Sequence, residues 1–433
     1  MRLNWFSPLP PARTEIANYT AGLLPYLCRR AEVTLWTDQA DWDPALEQQA
    51  EVRRFDPGHG PWPAINRADI SFFNLGNNAL YHGGIWQVSR QHPGAVILHD
   101  LRLHDLFYHL YLGRKQHTGY LSQMIRCYGS AGAEAAEAFM RGELPPDHMA
   151  ERFPLVDLAC ENAAGVVVHT HQTPDWAGPA NGCPVLYAPL PCAATPRQTP
   201  SSTAAPLPDG SPYRLIVFGH ISRNRRLDAI LDALAAIPGR DRFCLDVYGT
   251  LADADLLRAR VRALGLGGRV RLHGFVPQEE MEAALAWAHL AINLRYPTMG
   301  EASASQLRIW DHALPSLVTP VGWYATIPAG AADFVHPDTE VADLAAHLEA
   351  FLADPARYVR QGEAGRRVLE RDHSPEAYAA AVVGFAERAR AFRPRAAAHY
   401  LAERAGEEMS AWAAGGGPAR PFRRVAEQIH RLV

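Results

Sequence analysis

Short runs of aliphatic, β-branched and aromatic residues, most of them closed by Gly, Asn, Asp or Ser, alternate along this chain with stretches of helical periodicity. In the first half the runs are Leu3–Phe6, Val33–Trp36, Ile70–Asn74, Ala95–Leu98, Gly165–Val168 and Pro184–Tyr187. Their apolarity is continuous rather than alternating, which suits parallel strands buried on both faces. Pro189–Pro212, rich in Pro, Ser, Thr and Ala, then reads as a linker. The alternation restarts with Arg214–Phe218, Phe243–Tyr248, Arg269–Leu272, Leu290–Leu294, Leu317–Thr319 and Phe334–His336. Helical patterns such as Arg226–Ala236 and Gln278–Ala288 lie between them. Two successive βαβ series predict an α/β protein of two doubly wound domains facing a cleft, over 1–188 and 213–374, joined by the linker at 189–212. From Pro375 the chain turns helical and rich in Ala and Arg. Gly415-Gly416-Gly417-Pro418 interrupts it before a last amphipathic segment, Phe422–Val433.

Composition narrows the class. At about 100–200 residues per domain, 433 residues make two or three domains. With 48% apolar residues and a net charge of −4, the chain is neither disordered nor a general nucleic-acid binder. Lys115 is the single lysine, so arginine carries almost all positive charge and no arginine is notable for its type alone. The six cysteines form no C-x-x-C pair and no zinc-like spacing, which predicts a reducing compartment. Met1 leads directly into a strand, and no apolar run reaches membrane-spanning length, so a soluble, cytoplasmic protein is expected.

Ligands of open α/β sheets lie at the carboxyl ends of strands, so the loops there carry the chemistry. The first strand is followed by Ser7–Arg13 without a glycine, and no P-loop occurs, which removes the main nicotinamide and P-loop readings. The densest cluster, Arg295-Tyr296-Pro297-Thr298-Met299-Gly300-Glu301-Ala302-Ser303-Ala304-Ser305-Gln306-Leu307-Arg308, follows Leu290–Leu294 and opens a helix. Small and hydroxylated residues there suit a diphosphate at a helix N-terminus, and equally an ordinary cap made by Ser303 or Ser305. A second cluster, Gly219-His220-Ile221-Ser222-Arg223-Asn224-Arg225-Arg226, follows the next domain's first strand. Gly219 permits close backbone approach. Cations at a helix N-terminus oppose its dipole, so an anion beside Arg225 and Arg226 rationalises them. In the first half, His99, His104 and His109 recur every five residues, a spacing that spreads them around a helix and argues against a metal site. His169 and His171 flank another strand end, where a core or hinge role weighs as much as ligand contact. The amides of Asn74–Asn78 suit sugar hydroxyls or a tight turn.

These clusters occur in one order with further motifs: WFSPLPP at the start, LHD at 98–100, GVVVHT at 165–170, HGFVP at 273–277, and RYPTMGE followed by P-x-x-V-T-x-V-G-W. Over nearly its whole length the chain resembles retaining GT-B glycosyltransferases of family 4 (glycosyl transferases group 1). It is most similar to the subgroup reading R-Y-P-T-x-G-E, commonly encoded with polysaccharide and O-antigen enzymes. The resemblance implies two Rossmann-like domains, with C-terminal helices over 375–433 crossing back to the first. It implies transfer from a nucleotide diphosphate sugar to a hydroxyl of a glycan, lipid-linked or small-molecule acceptor. It further implies that a donor phosphate oxygen takes the acceptor proton, and that no metal, cofactor or nucleic-acid partner is expected. Glu301 matches the first acid of the family's Glu-x7-Glu motif, which contacts the donor sugar. Arg225 matches its phosphate-binding lysine, and His99 its histidine beside the donor sugar. Around the donor the resemblance places Gly219, His220, Arg226, Met299, Gly300, Ser303, Ala304, Ser305, Gln306 and Arg308, with His273, Phe275 and Val276 near the nucleobase. On the acceptor side it places Glu15, Asn77, Asn78, Asp100 and His104.

Four positions depart from the family pattern. The motif's second acid is missing, the pattern after Glu301 running to Arg308; His220 stands where many relatives have arginine, and Ala304 where glycine is frequent. Thr14-Glu15-Ile16-Ala17 replaces a usual Ser-Gly-Ile-Ala. They motivate an alternative, a catalytically weakened GT-B protein that binds a nucleotide sugar or a partner enzyme. A pyridoxal-dependent phosphorylase lacks its lysine, because Lys115 lies in the polar stretch Gly113–Thr118. Ala386–Val433 carries nine arginines and five acidic residues, a net of +4. Such an end suits peripheral contact with anionic lipid at the inner membrane or a homodimer, the plainer reading being the helix that crosses back.

Overall fold

The computed structural model describes residues 1–113, 115–171, 176, 178–195, 211–251 and 253–414. Most of the linker expectation and the segment from Gly415, including Phe422–Val433, therefore lie outside the described residues. The chain divides into two compact units. The first holds Met1–Pro191, Met299–Glu301 and the chain from Pro375; the second holds Cys192–Thr298 and Ala302–Ser374.

Seven parallel strands form the sheet of the first unit: β1 (Arg2–Phe6), β2 (Glu32–Thr37), β3 (Glu51–Arg54), β4 (Ile70–Leu75), β5 (Gly94–Leu98), β6 (Ala163–Val168) and β7 (Val185–Tyr187). Their order is β3-β2-β1-β4-β5-β6-β7, so the direction of winding reverses between β1 and β4. Successive residues feed opposite faces, as the pleat requires. Phe6, Phe73, Val96 and Val166 pack with Ile85 and Trp86 of helix Ala79–Gln91 and Phe107 of helix His104–Leu112. Trp5, Phe72, Ile97 and Val167 pack with Leu24 and Leu27 of helix Glu15–Cys28, and with Val382 and Phe385 of helix Pro375–Ala414. This two-sided burial is why the apolar runs read as continuous. β3, Glu-Val-Arg-Arg, is an edge strand of charged residues, so no apolar run announced it.

The second unit repeats the plan with six parallel strands: β8 (Tyr213–Phe218), β9 (Phe243–Tyr248), β10 (Val270–Gly274), β11 (Leu290–Asn293), β12 (Ser316–Val318) and β13 (Asp333–Phe334). Their order, β10-β9-β8-β11-β12-β13, reverses between β8 and β11. Leu215, Val217, Leu245 and Ile292 bury one face against helices Leu227–Ala236 and Glu340–Ala353. Ile216, Phe218 and Ala291 bury the other against Met281, Leu285 and Ile309. The fold is thus α/β with two doubly wound parallel sheets. Among the described residues no helix is long and apolar enough to cross a membrane.

The C-terminal helix is core to the first unit. Phe385 lies so close to Gly165 of β6 that a Cβ there would come within 2.7 Å of its ring. Phe385→Ala is expected to lower unfolding stability by about 3–5 kcal/mol, the usual cost of such a cavity. Urea unfolding followed by tryptophan fluorescence reads this, and a loss below about 1 kcal/mol would show that the helix is not integral to that core.

Candidate functional site

In doubly wound sheets the reversal of strand order opens a crevice beyond the strand ends. In the second unit it falls at the ends of β8 and β11. β8 gives way at Gly219, whose φ of +111° favours glycine. A Cβ at Gly219 would stand 2.8 Å from Nη2 of Arg225, so the missing side chain lets that guanidinium lie against the loop. Arg225 ends a short 3₁₀ turn, Arg223–Arg225, and is 4% exposed. Its Nη1 donates to Oδ1 of Asn293, the last residue of β11, at 2.5 Å, and its Nη2 to Oγ of Ser305 at 3.4 Å. Asn293 in turn donates to Oε1 of Gln306 at 3.0 Å, and Gln306 donates to Oγ of Ser316 at 2.8 Å. Four polar residues, Asn293 of β11, Ser305 and Gln306 of the helix Ala304–Asp311 and Ser316 of β12, are thereby linked to one buried cation.

Within this network the side chains of several expected ligands have partners in the protein itself. Ser303 is the N-cap: its Oγ accepts from the Gln306 amide at 3.1 Å. Gln306 is fully buried with its carboxamide occupied. The first-turn amides of Ala304 and Ser305 have no acceptor within the helix, as at any helix N-terminus. Arg226 turns elsewhere. With φ +55° it precedes helix Leu227–Ala236, and its Nε lies 2.8 Å from both carboxylate oxygens of Glu340. Arg308 donates to Glu282 at 2.6 Å and lies over the Phe218 ring. His220 stays at the loop. Burial, then the guanidiniums of Arg225 and Arg295, hold its imidazole below the ordinary value, so it is neutral at pH 7.

At the ends of β9 and β10 a flat aromatic surface appears. His273 stacks on Tyr248 with ring centroids 4.2 Å apart and planes 6° apart, and its Nε2 bonds Asp246 at 2.7 Å. Phe275 beside it is 55% exposed, whereas Val276 packs against the core. Asp246, Tyr248 and Asn293 were not singled out in the sequence. Each is a polar residue at or near the end of an otherwise apolar strand, and that is the signal that finds them.

In the first unit the reversal falls between β1 and β4, and His99 follows the neighbouring β5. His99 Nε2 bonds Oδ1 of Asn74 at 3.0 Å. The Met299 carbonyl accepts from the amides of Leu101 and Arg102 at 3.0 and 2.9 Å. Gly300, at φ +74°, lies against Leu101. Oε2 of Glu301 accepts from the Met299 amide at 2.7 Å. Glu301 and His99 thus belong to the same unit, while Arg225 belongs to the other.

The acceptor-side expectations separate. Asp100 accepts from the Asn77 amide at 2.8 Å, and Asn77 also bonds the Leu106 amide and Asp105, fastening the loop after β4 to the next helix. Asn78 caps helix Ala79–Gln91 through the Leu80 amide. His104 is fully buried, with Nδ1 on the Phe153 carbonyl at 2.7 Å and Nε2 on the Tyr120 hydroxyl at 2.9 Å. Burial pushes its pKa down to about 4. It is a core histidine and presents no nitrogen to an acceptor. Glu15 is exposed at the first turn of helix Glu15–Cys28, where a carboxylate complements the dipole.

No protein-family model matches the chain, and no curated protein sequence does. Solved structures share its architecture. Sucrose-phosphate synthase from Thermosynechococcus elongatus is 18% identical with a TM-score of 0.61, covering 90% of this chain and 98% of that one. HepE of Anabaena, in complex with UDP and glucose, is 14% identical with a TM-score of 0.59, covering 89% and 98%. WaaG, a glycosyltransferase involved in lipopolysaccharide biosynthesis, is 16% identical with a TM-score of 0.55, covering 89% and 100%. At these identities the likeness is one of fold, and the fold is that of GT-B glycosyltransferases.

Proposed function

We propose that the protein is a retaining glycosyltransferase of family 4, in the R-Y-P-T-x-G-E subgroup, moving a hexosyl group from a nucleotide diphosphate sugar to an acceptor hydroxyl in polysaccharide, O-antigen or related glycoconjugate synthesis. The observation that carries this reading is Arg225, a buried guanidinium fixed by Asn293 beside the first amides of helix Ala304–Asp311 at the β8/β11 reversal. Charge, amide donors and strand-end position together suit a diphosphate. HepE structures with UDP and with UDP-glucose support a donor of that kind on this fold.

In this mechanism the diphosphate departs against a cation and helix amides already in place, rather than against a resident metal. The protein groups need no reorganisation as charge develops. The His273–Tyr248 stack receives the nucleobase. Glu301 and His99 hold hydroxyls of the sugar, as the resemblance implies. A phosphate oxygen of the donor accepts the acceptor proton, so no protein base is required.

A thermal-shift screen against UDP, GDP, TDP and ADP should show one nucleotide stabilising the protein. A ligand at about a hundred times its Kd adds about 2.7 kcal/mol. No shift with any of the four would sink the donor-site assignment. In a donor-hydrolysis or transfer assay, Glu301→Ala should reduce turnover at least about tenfold, the worth of one charge-assisted hydrogen bond, without abolishing nucleotide binding. Tight nucleotide binding with no turnover in the wild type would instead favour a catalytically weakened binding protein.

A further inference from the structure

At the strand ends of the first unit a run of hydrogen bonds fixes the place of one proton. Asn74, near the end of β4, is fully buried. Its Nδ2 donates to the Phe6 carbonyl of β1 at 2.9 Å. That bond sets the carboxamide's orientation, because the reversed amide would bring two oxygens together. Oδ1 is left 3.0 Å from Nε2 of His99. An amide oxygen only accepts, so Nε2 must carry the hydrogen, and the lone pair of the neutral ring lies on Nδ1. The Asn74 main chain is held as well: its carbonyl is 3.1 Å from Nδ1 of His82, on helix Ala79–Gln91.

The surroundings keep the ring in place and neutral. Tyr19 of helix Glu15–Cys28 meets it edge-on with centroids 4.8 Å apart, and His169 after β6 lies 5.0 Å away. Tyr378 of the C-terminal helix stands behind, its hydroxyl 2.8 Å from that of Tyr19. Asp100, the next residue, accepts from the Asn77 amide. Burial first, then His169 and His82, hold the His99 pKa well below its ordinary value.

We propose that Asn74 is a positioning residue for His99, holding the proton on Nε2 so that Nδ1 is presented as a hydrogen-bond acceptor to a hydroxyl of the sugar substrate. The nature of that hydroxyl rests on the glycosyl-transfer reading, whereas the place of the proton is a property of the free protein. The two are therefore tested separately. In protein labelled with ¹⁵N-histidine, long-range ¹⁵N–¹H correlation spectra should show His99, assigned by its loss in His99→Gln, protonated at Nε2 alone at pH 7.5 and still neutral at about pH 6.5, the ordinary histidine value.

Asn74→Asp keeps the shape but adds a carboxylate, and should raise the pH at which the ring takes its second proton. Asn74→Leu should release the tautomer, giving signals of a mixture. It should also lower kcat/KM for transfer about tenfold while the Kd of free UDP or GDP moves less than about twofold. A wild-type ring protonated at Nδ1 or at both nitrogens overturns the role of Asn74, as does an Asn74→Leu spectrum identical to wild type. Failure to bind any nucleotide, with the proton found on Nε2, would overturn the glycosyl-transfer reading and the sugar contact with it, but not the Asn74–His99 bond.

Discussion

The bond from Arg225 to Asn293 is the constraint on which the second unit's chemistry depends. A guanidinium taken out of water is costly unless its hydrogen bonds are met. Here an amide oxygen and a hydroxyl meet two of them. The neighbouring Arg226 shows the contrast, because Glu340 neutralises it and fixes it to another helix. Two adjacent arginines are thus directed to different partners, Arg226 to Glu340 and Arg225 to Asn293 and Ser305. Gly219 makes the arrangement possible, since any larger residue would press a Cβ against Arg225. Asn293 links the cation to Gln306 and so to the helix whose first amides lie beside it.

The first unit solves a related problem without charge. Its strand-end residues Asn74, His82, His99 and His169 are buried. Burial pushes His82 down to about 4 and His99 well below its ordinary value, so neither imidazole is a cation at neutral pH. Neutral groups of this kind suit hydroxyls, whose recognition depends on which atom donates and which accepts. The C-terminal helix also reaches these groups. Through Tyr378 it backs Tyr19, which in turn packs on His99. The helix that completes the core of the first unit therefore also backs the surroundings of His99.

Much of this was legible in the sequence, for identifiable reasons. Parallel strands buried on both faces produce continuous apolar runs, so the strands of both sheets were readable except β3, whose Glu51, Arg53 and Arg54 reflect an edge position. The loops at the strand ends were readable because glycine, hydroxyl and charge concentrate there. What the sequence could not show is direction. Arg225 and Arg226 are the same residue type in adjacent positions, and only the 3₁₀ turn followed by a left-handed Arg226 sends one inward and the other to Glu340. Ser303 and Gln306 looked like ligands and serve as a cap and a brace. His104 was expected on the acceptor side, yet at the start of its helix the ring is held by the Phe153 carbonyl and the Tyr120 hydroxyl. The amide of Asn74 suited sugar hydroxyls or a tight turn, and in the structure it meets the Phe6 carbonyl and the His99 imidazole.

The central claim is that the fixed cation of the second unit receives a diphosphate, and calorimetry tests it most directly. UDP and GDP titrated into wild-type protein should give binding with one of them. The same titration into Arg225→Gln, checked for an unchanged circular dichroism spectrum, should be weaker by about 10–100-fold, the range for one charge-assisted hydrogen-bonding group. The corresponding nucleoside monophosphate should lose less between the two proteins than the diphosphate does. Equal diphosphate affinity in wild type and folded Arg225→Gln would contradict the account.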